Sequence, residues 1–224
     1  MTTPIKSFDV SLDAQGGVGL PGFGTLELVT DDNGQRGQEL GTVQGIVMHW
    51  TADTNKMRAY AAYHYLIVDN GHEAAVIRTL RPTEKGQHAW GRNTGLIGIA
   101  YAATADASLP DYGPGAPTAR QRVAMQTLAA ELCAWRHLDP RGTVSLPRKC
   151  SDASSIWTVP GTLAAPVLMS HQTLAMADGY SAERWDTGVL LAPDRAAAQA
   201  IYDELKGNPM ADGSKRAFMF EHLL

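Results

Sequence analysis

The 224-residue chain is long enough for one substantial domain, and its length alone leaves a small second domain open. Hydrophobic residues make up 44% and charged residues 19%, which fits a globular core and excludes a disordered chain. A net charge of −4 without a local Lys/Arg cluster argues against nucleic acid as a partner, and no apolar run reaches the roughly 18–20 residues of a membrane span.

The N-terminal region is interpreted from its turn signals and its lack of an apolar segment. No apolar stretch follows Lys6, so we expect synthesis in the cytoplasm without a signal peptide. Residues 1–41 are rich in glycine and short β-like runs. We interpret them as an extension packed on the main domain, holding at most a hairpin, with the main domain spanning 42–224. Cys133 and Cys150 do not make a disulfide framework.

The next segments alternate strand patterns with turns. "TVQGIVMHW" predicts a buried strand, and "ADTNKMRAYAA" predicts a short helix capped by Asp53 or Thr54. "YHYLIV", the turn "DNG" and "HEAAVIRTL" predict a hairpin, and "LIGIAYAA" predicts another apolar strand.

The clearest helix pattern covers residues 117–138, where Thr118 and Gln121 form a capping box. Residues at helical spacing predict its buried face: Ala124, Leu128, Leu132 and Trp135. Residues 139–166 are interpreted as loop-rich, "APVLMSH" as a short strand and "PDRAAAQAIYDELKG" as a helix. Strands interleaved with helices, one hairpin among them, predict an α/β fold with a central mixed β-sheet flanked by helices.

Two histidines share an unusual position. His49 ends the run "GIVMH" and His171 ends "PVLMSH", so each follows an apolar strand. Strand ends are where open α/β sheets place their sites. One such histidine is more simply a buried core residue, but two at matching ends favour a metal site. A catalytic zinc takes three protein ligands and leaves a position for water, so a third Cys, Asp, Glu or His is expected.

Three segments resemble the zinc-dependent N-acetylmuramoyl-L-alanine amidases, whose fold the peptidoglycan recognition proteins share. They are "IVMHWTA", "YHYLIVDNG" with "HAWGRNTGLIGIA", and "SHQTLAMADGYSAERWDTG", within about residues 43–190. The resemblance implies zinc ligands at His49, His171 and an acidic residue two places after a basic one. That pattern is complete in "RWD", which favours Asp186, although the longer spacing from His171 keeps Asp178 as a rival.

The resemblance also implies the other site residues. Arg184 stands where relatives usually carry Lys; it can stabilise an oxyanion but cannot shuttle a proton. Tyr63 matches the catalytic Tyr, and strand alternation predicts that it shares a face with Tyr65 while His64 points away as a structural residue. His88 matches a histidine that lines the substrate groove in the family, with Asn93 nearby, so both are expected substrate contacts. Trp50 is a further expected contact, because aromatic residues can line a sugar-binding groove.

The implied function is a Zn²⁺ peptidoglycan hydrolase that cleaves the amide between the lactyl group of muramic acid and L-Ala of the stem peptide. We expect a monomer that acts on peptidoglycan or muropeptides in the periplasm or cell wall. A phage-type endolysin, acting on the host cell wall after release, is favoured because no cell-wall-binding repeat is visible. The alternatives are a secretion-delivered amidase toxin, a cytoplasmic recycling enzyme, a non-catalytic peptidoglycan-binding module and a virion-associated protein.

Overall fold

The computed structural model describes residues 5–10, 17–29, 38–53, 55–60, 62–89, 92–104, 113–151 and 156–170. These ranges contain eleven strands and one helix. The strands are β1 (Lys6–Asp9), β2 (Val18–Leu20), β3 (Gly24–Val29), β4 (Gly45–Trp50), β5 (Arg58–Tyr60), β6 (Tyr65–Asp69), β7 (Ala74–Arg78), β8 (Leu96–Tyr101), β9 (Thr143–Ser151), β10 (Ile156–Pro166) and β11 (Leu168–Ser170). The helix is α1 (Ala119–Arg136).

Six strands form the central sheet in the order β1–β7–β6–β8–β4–β11. Neighbouring strands pair in parallel except β6 and β7, which form the predicted antiparallel hairpin. Its turn is built by Asn70, whose side-chain oxygen accepts the backbone N–H groups of His72 and Glu73 at 2.9 and 2.8 Å. Gly71 supplies the positive φ of 92° that the turn needs. The predicted mixed sheet is therefore confirmed.

The N-terminal region holds more than the expected hairpin. β1 lies at the edge of the central sheet, parallel to β7, while β2 and β3 form an antiparallel pair. β3 also pairs in parallel with β5, which lies where a short helix was predicted, so that prediction is wrong. The polar groups of this segment are used in turns instead. Asp53 and Asn55 accept the backbone N–H groups of Asn55 and Met57, each at 2.9 Å, and the following residues add to the free edge of β3.

The prediction of a loop-rich segment at 139–166 is also wrong, because β9 and β10 form a long antiparallel hairpin. The Pro and Gly residues that suggested loops sit where a two-stranded hairpin tolerates them. The register shifts between Thr158 and Thr162, and this irregularity takes up Pro160 and Gly161. Cys150, interpreted as a loop residue, lies within β9.

Helix α1 covers one face of the central sheet, and its capping box is as predicted. The Thr118 side chain accepts the Gln121 N–H at 3.1 Å, and the Gln121 side chain accepts the Thr118 N–H at 3.0 Å. The buried helix residues are Gln121, Ala124, Met125, Leu128, Ala129, Leu132 and Cys133. They pack against sheet residues that include Met48, Tyr65, Ile67, Ile99 and Tyr101. This helix is not apolar enough to cross a membrane, and the described residues contain no other helix.

Trp135 departs from the predicted buried face. It is 53% exposed, and the Arg136 guanidinium lies 3.8 Å from the centre of its ring. The residue belongs to the last turn of α1, at the edge of the buried arc, before His137 ends the helix in a left-handed conformation. A cation over the ring face stabilises an exposed indole, so the helical spacing does not require burial here.

Asp69 links the end of β6 to the start of α1. Its buried carboxylate accepts the Thr118 hydroxyl at 2.6 Å, two Arg120 N–H groups at 3.1 and 2.9 Å and the Gly71 N–H at 2.7 Å. Burial acts to raise the pKa of Asp69, but the hydrogen bonds from Arg120, Thr118 and Gly71 outweigh it and hold that pKa below 3.8.

We expect Asp69→Asn to lower the free energy of unfolding at pH 7 by about 1–3 kcal/mol, since hydrogen bonds to a buried charge are lost. Because the folded-state pKa is depressed, this stabilisation is present above the unfolded pKa and is lost as pH falls through the folded pKa. Urea unfolding at pH 7 and pH 3 should show a smaller difference from the parent at pH 3. The control is Asp9→Asn, which removes an exposed ion pair with Arg78 worth about 0–1 kcal/mol. Equal losses in the two variants would contradict the account.

Candidate active site

The face of the central sheet opposite α1 carries the candidate site. Two apolar clusters cover parts of this face. One holds β2–β3 residues against Leu66, Val68, Ala75, Ile77 and Ala100. The other holds β9–β10 residues against Val47, Ala89, Leu96 and Met169. Tyr63 packs against the first cluster. Ala89, the residue after His88, belongs to the second cluster. A group of polar rings therefore lies where the two clusters meet.

His49 lies at the carboxyl end of β4, opposite Ala100 of β8. Side chains alternate along a strand, so His49 faces the same side as Val47 and away from α1. It is 4% exposed. Its Nε2 lies 3.1 Å from Nδ1 of His88, and its ring centre lies 5.1 Å from that of Tyr63. The strand therefore fixes His49 among other polar rings at a sheet edge.

His88 is held in a close-fitting socket. Its Nε2 donates to the Leu96 carbonyl at 3.1 Å, and the residue is 5% exposed. A Cβ added at Gly98 would lie 2.3 Å from Cγ of His88, and one added at Gly86 would lie 2.8 Å from its Cδ2. The His88 ring thus packs directly against the backbone of β8, in space that a side chain at position 98 would fill.

His64 has a structural role, as predicted. Its Nε2 donates to the Glu84 carbonyl at 2.8 Å, and its Nδ1 accepts the Gly98 N–H at 3.0 Å. Burial lowers the pKa of His64 to about 4, with only partial opposition from the Glu84 contacts, so the ring is neutral at neutral pH. With both nitrogens bonded to backbone, the ring joins the segment before β6 to the middle of β8.

Tyr63 lies beside His49, but not for the predicted reason. Strand alternation predicted that Tyr63 and Tyr65 share a face, and this is wrong: Tyr65 packs on the α1 side, whereas Tyr63 packs with the opposite cluster. Because β6 begins only at Tyr65, the bend at residues 63–64 frees Tyr63 from the alternation. Its ring lies 6.4 Å from that of His88 at an interplanar angle of 27°.

The two remaining predicted substrate residues, Asn93 and Trp50, differ in their surroundings. Asn93 is buried, and its side-chain oxygen accepts the Ala89 N–H at 2.7 Å, which shapes the segment after His88. Trp50 follows His49 on β4, so it faces the opposite side and packs partly buried against the cluster beneath α1. The structure therefore brings together His49, Tyr63 and His88 but not Trp50.

The sequence interpretation did not identify two features of this region. Gly98 interrupts an apolar strand, and an isolated strand glycine is a signal for close approach of another group. Asp53, four residues after His49, accepts the Arg58 guanidinium at 2.8 Å and the Tyr60 hydroxyl. Arg58 also pairs with Glu27 at 2.9 Å. This network ties the segment after β4 to β3 and β5.

The other predicted site residues, His171, Asp178, Arg184 and Asp186, lie outside the described residues, as does the predicted helix at 193–207. In the part of the chain that the structure describes, no three His, Cys, Asp or Glu side chains are arranged to hold a metal ion.

A sequence profile described as N-acetylmuramoyl-L-alanine amidase matches residues 39–188. The chain belongs to the N-acetylmuramoyl-L-alanine amidase family. The match spans the sheet from β4 to β11 and includes His49, Tyr63 and His88. Membership assigns the chain at family level to the peptidoglycan amidases, which are typically zinc-dependent. A comparison with curated protein sequences gives no match.

Solved structures similar to this chain include three with low sequence identity. The amidase LysC from Clostridium intestinale is 16% identical, with 66% of this chain and 84% of that chain covered and a TM-score of 0.40. The drosophila peptidoglycan recognition protein SD is 18% identical, with 67% and 86% covered and a TM-score of 0.37. The Staphylococcus aureus hydrolase AmiA is 14% identical, with 71% and 72% covered and a TM-score of 0.42.

The glycine socket predicts a large effect of one added methyl group. Gly98→Ala should lower the free energy of unfolding by at least about 1–3 kcal/mol, because the Cβ overlaps the His88 ring and the backbone lies in a central strand. The control is Gly19→Ala in β2, where an added Cβ would meet no described atom within 4 Å. Urea unfolding measures both variants, and a Gly98→Ala protein as stable as the control would contradict the packing.

Proposed function

We propose that the chain is a zinc-dependent N-acetylmuramoyl-L-alanine amidase that cleaves the amide between the lactyl group of muramic acid and L-Ala. The observation that carries the proposal is the family match over residues 39–188, which includes the ring group at the end of β4. In this proposal His49, His171 and Asp186 hold the metal, and peptidoglycan is the substrate. Asp178 remains the rival for the third ligand.

The donor chemistry at His49 fits zinc. An imidazole on a rigid strand, with one ring nitrogen hydrogen-bonded to a neighbour, is the usual form of a histidine ligand. β11 supports the second ligand, since Ser170 pairs with Met48, the residue before His49, and His171 follows Ser170 in the sequence. When bound, zinc supplies Lewis acidity and lowers the pKa of a bound water to about 7.

The protein groups proposed to act in the reaction are Tyr63 and Arg184. Tyr63 is half-buried with its ring centre 5.1 Å from that of His49, which supports the proposal that its phenol orients a water or protonates the leaving amine. Arg184 supplies a fixed positive charge to the developing oxyanion, and its guanidinium stays protonated throughout. The sequence predicts that His88, Asn93 and Trp50 contact the substrate, but the burial of His88 favours a role inside the protein.

Digestion of purified sacculi with mass analysis of the products tests the function directly. We expect free stem peptides that begin with L-Ala and glycan strands without peptides. A chelator should stop the release, and added zinc should restore it. His49→Ala should be inactive, whereas His72→Ala, on the exposed hairpin turn, should match the parent. Products cut within the peptide or the glycan would contradict the proposal, and binding to sacculi without release would indicate a non-catalytic module.

Tyr63→Phe should keep the fold and the zinc content but lower kcat by about 10²- to 10⁴-fold, the usual contribution of a positioned acid–base group. The matched control is Tyr65→Phe, which makes the same chemical change two residues away on the α1 side of the sheet. Its kcat should stay within a few-fold of the parent. Similar turnover in the two variants would remove Tyr63 from the mechanism.

We further propose a phage-type endolysin role, as expected from the sequence. Added to Gram-negative cells with a permeabilised outer membrane, the protein should cause lysis and should act on intact sacculi. Activity confined to small free muropeptides would instead indicate a recycling enzyme.

A further inference from the structure

We propose that His88 is a positioning residue for His49: its Nδ1 accepts a hydrogen bond from Nε2–H of His49, which leaves Nδ1 of His49 unprotonated, the form in which a ring nitrogen can bind a metal. The inference deepens the proposed function, and it rests on that function only in taking His49 as a zinc ligand. It gives His88 a role different from the substrate contact expected from the sequence.

The direction of the hydrogen bonds follows from the chain of three groups. The Leu96 carbonyl can only accept, so Nε2 of His88 must carry a proton and donate to it. The 3.1 Å contact between Nδ1 of His88 and Nε2 of His49 needs one donor and one acceptor. A neutral imidazole carries one N–H, and in His88 this N–H donates to the Leu96 carbonyl. A neutral His88 accepts at Nδ1, so His49 donates from Nε2.

The packing keeps this arrangement in place. The Gly98 backbone lies against the His88 ring, where a Cβ would come within 2.3 Å of Cγ, and Gly86 borders the ring at Cδ2. The His64 ring lies 5.7 Å away and is itself held by backbone at both nitrogens. The ring of His88 is therefore fixed by the strand on which Leu96 and Gly98 lie. A ring so enclosed orients a neighbour better than it contacts a polymeric substrate.

A fixed tautomer matters for metal binding. A histidine ligand must present an unprotonated nitrogen, and the hydrogen bond made by the other nitrogen decides which one that is. The partner that accepts this hydrogen bond is usually a backbone carbonyl or a carboxylate. Here the His88 ring accepts it, and the Leu96 carbonyl fixes the tautomer of His88. Loss of such a partner typically weakens metal binding by about 10- to 100-fold.

The first measurement uses the unmodified full-length protein labelled with ¹⁵N-histidine. Long-range ¹H–¹⁵N spectra, recorded metal-free and with zinc, report which ring nitrogen carries the proton; His49→Ala and His88→Gln supply the assignments. We expect the Nε2–H tautomer for His49 and His88 in the metal-free protein, with Nδ1 of His49 shifted by zinc. An Nδ1–H tautomer for His49 would overturn the inference. Because the metal-free spectrum needs no zinc, it tests the hydrogen bond even if the proposed function fails.

The second measurement is zinc affinity by competition with a chelator. His88→Leu removes the acceptor and should weaken zinc binding by about 10- to 100-fold, whereas His88→Gln, which can both accept and donate, should recover most of the loss. His72→Leu, an exposed histidine, is the control and should match the parent. A folded His88→Leu protein with unchanged zinc affinity and a raised KM would overturn the inference and return His88 to the substrate contacts. If His88→Leu does not fold, the tautomer in the unmodified protein decides.

Discussion

The contact between the His88 ring and the backbone of β8 at Gly98 is the constraint on which the candidate site depends. Only a residue without a Cβ lets the ring lie this close to the strand. From that position His88 bonds Leu96 on one side and His49 on the other, so β8 fixes a side chain of β4 through a third residue. His64 reaches the same glycine through its backbone N–H. Three histidines and one strand are thus packed as a unit.

The two faces of the central sheet differ in what they carry: one packs against α1, and the other holds the candidate site. The α1 face is mainly apolar, and two buried polar groups at the start of the helix are hydrogen-bonded: Asp69 to Thr118 and Arg120, and Gln121 to the carbonyls of Ile67 and Ala102. The opposite face is covered in two parts, by β2–β3 and by β9–β10, and polar rings occupy the junction. Parallel strands end together at such an edge, which is where α/β proteins place their sites.

The sequence predicted the parts of the fold that are set by local chemistry. The "DNG" turn, the Thr118–Gln121 capping box and the apolar runs of β4, β6 and β8 each contain their own signal. The sequence predictions were wrong where strand pairing between distant segments determines the structure. β5 forms because β3 offers an unpaired edge, and β9 and β10 pair despite their Pro and Gly residues. Of the site, the sequence predicted His49 from its position at a strand end, and the family resemblance added Tyr63 and His88. The His88 contact could not be predicted, because it depends on a glycine 10 residues further along the chain.

Diffraction from zinc-loaded crystals, with anomalous data on both sides of the zinc absorption edge, tests the central claim most directly. The account predicts one anomalous peak per chain, about 2.0–2.1 Å from Nδ1 of His49, with His171 and Asp186 completing the protein ligands and Nε2 of His49 bonded to His88. A peak at Nε2 of His49 with the His88 contact broken would contradict the positioning role. A zinc site elsewhere in the chain, or none, would contradict the assignment of this sheet edge as the catalytic centre.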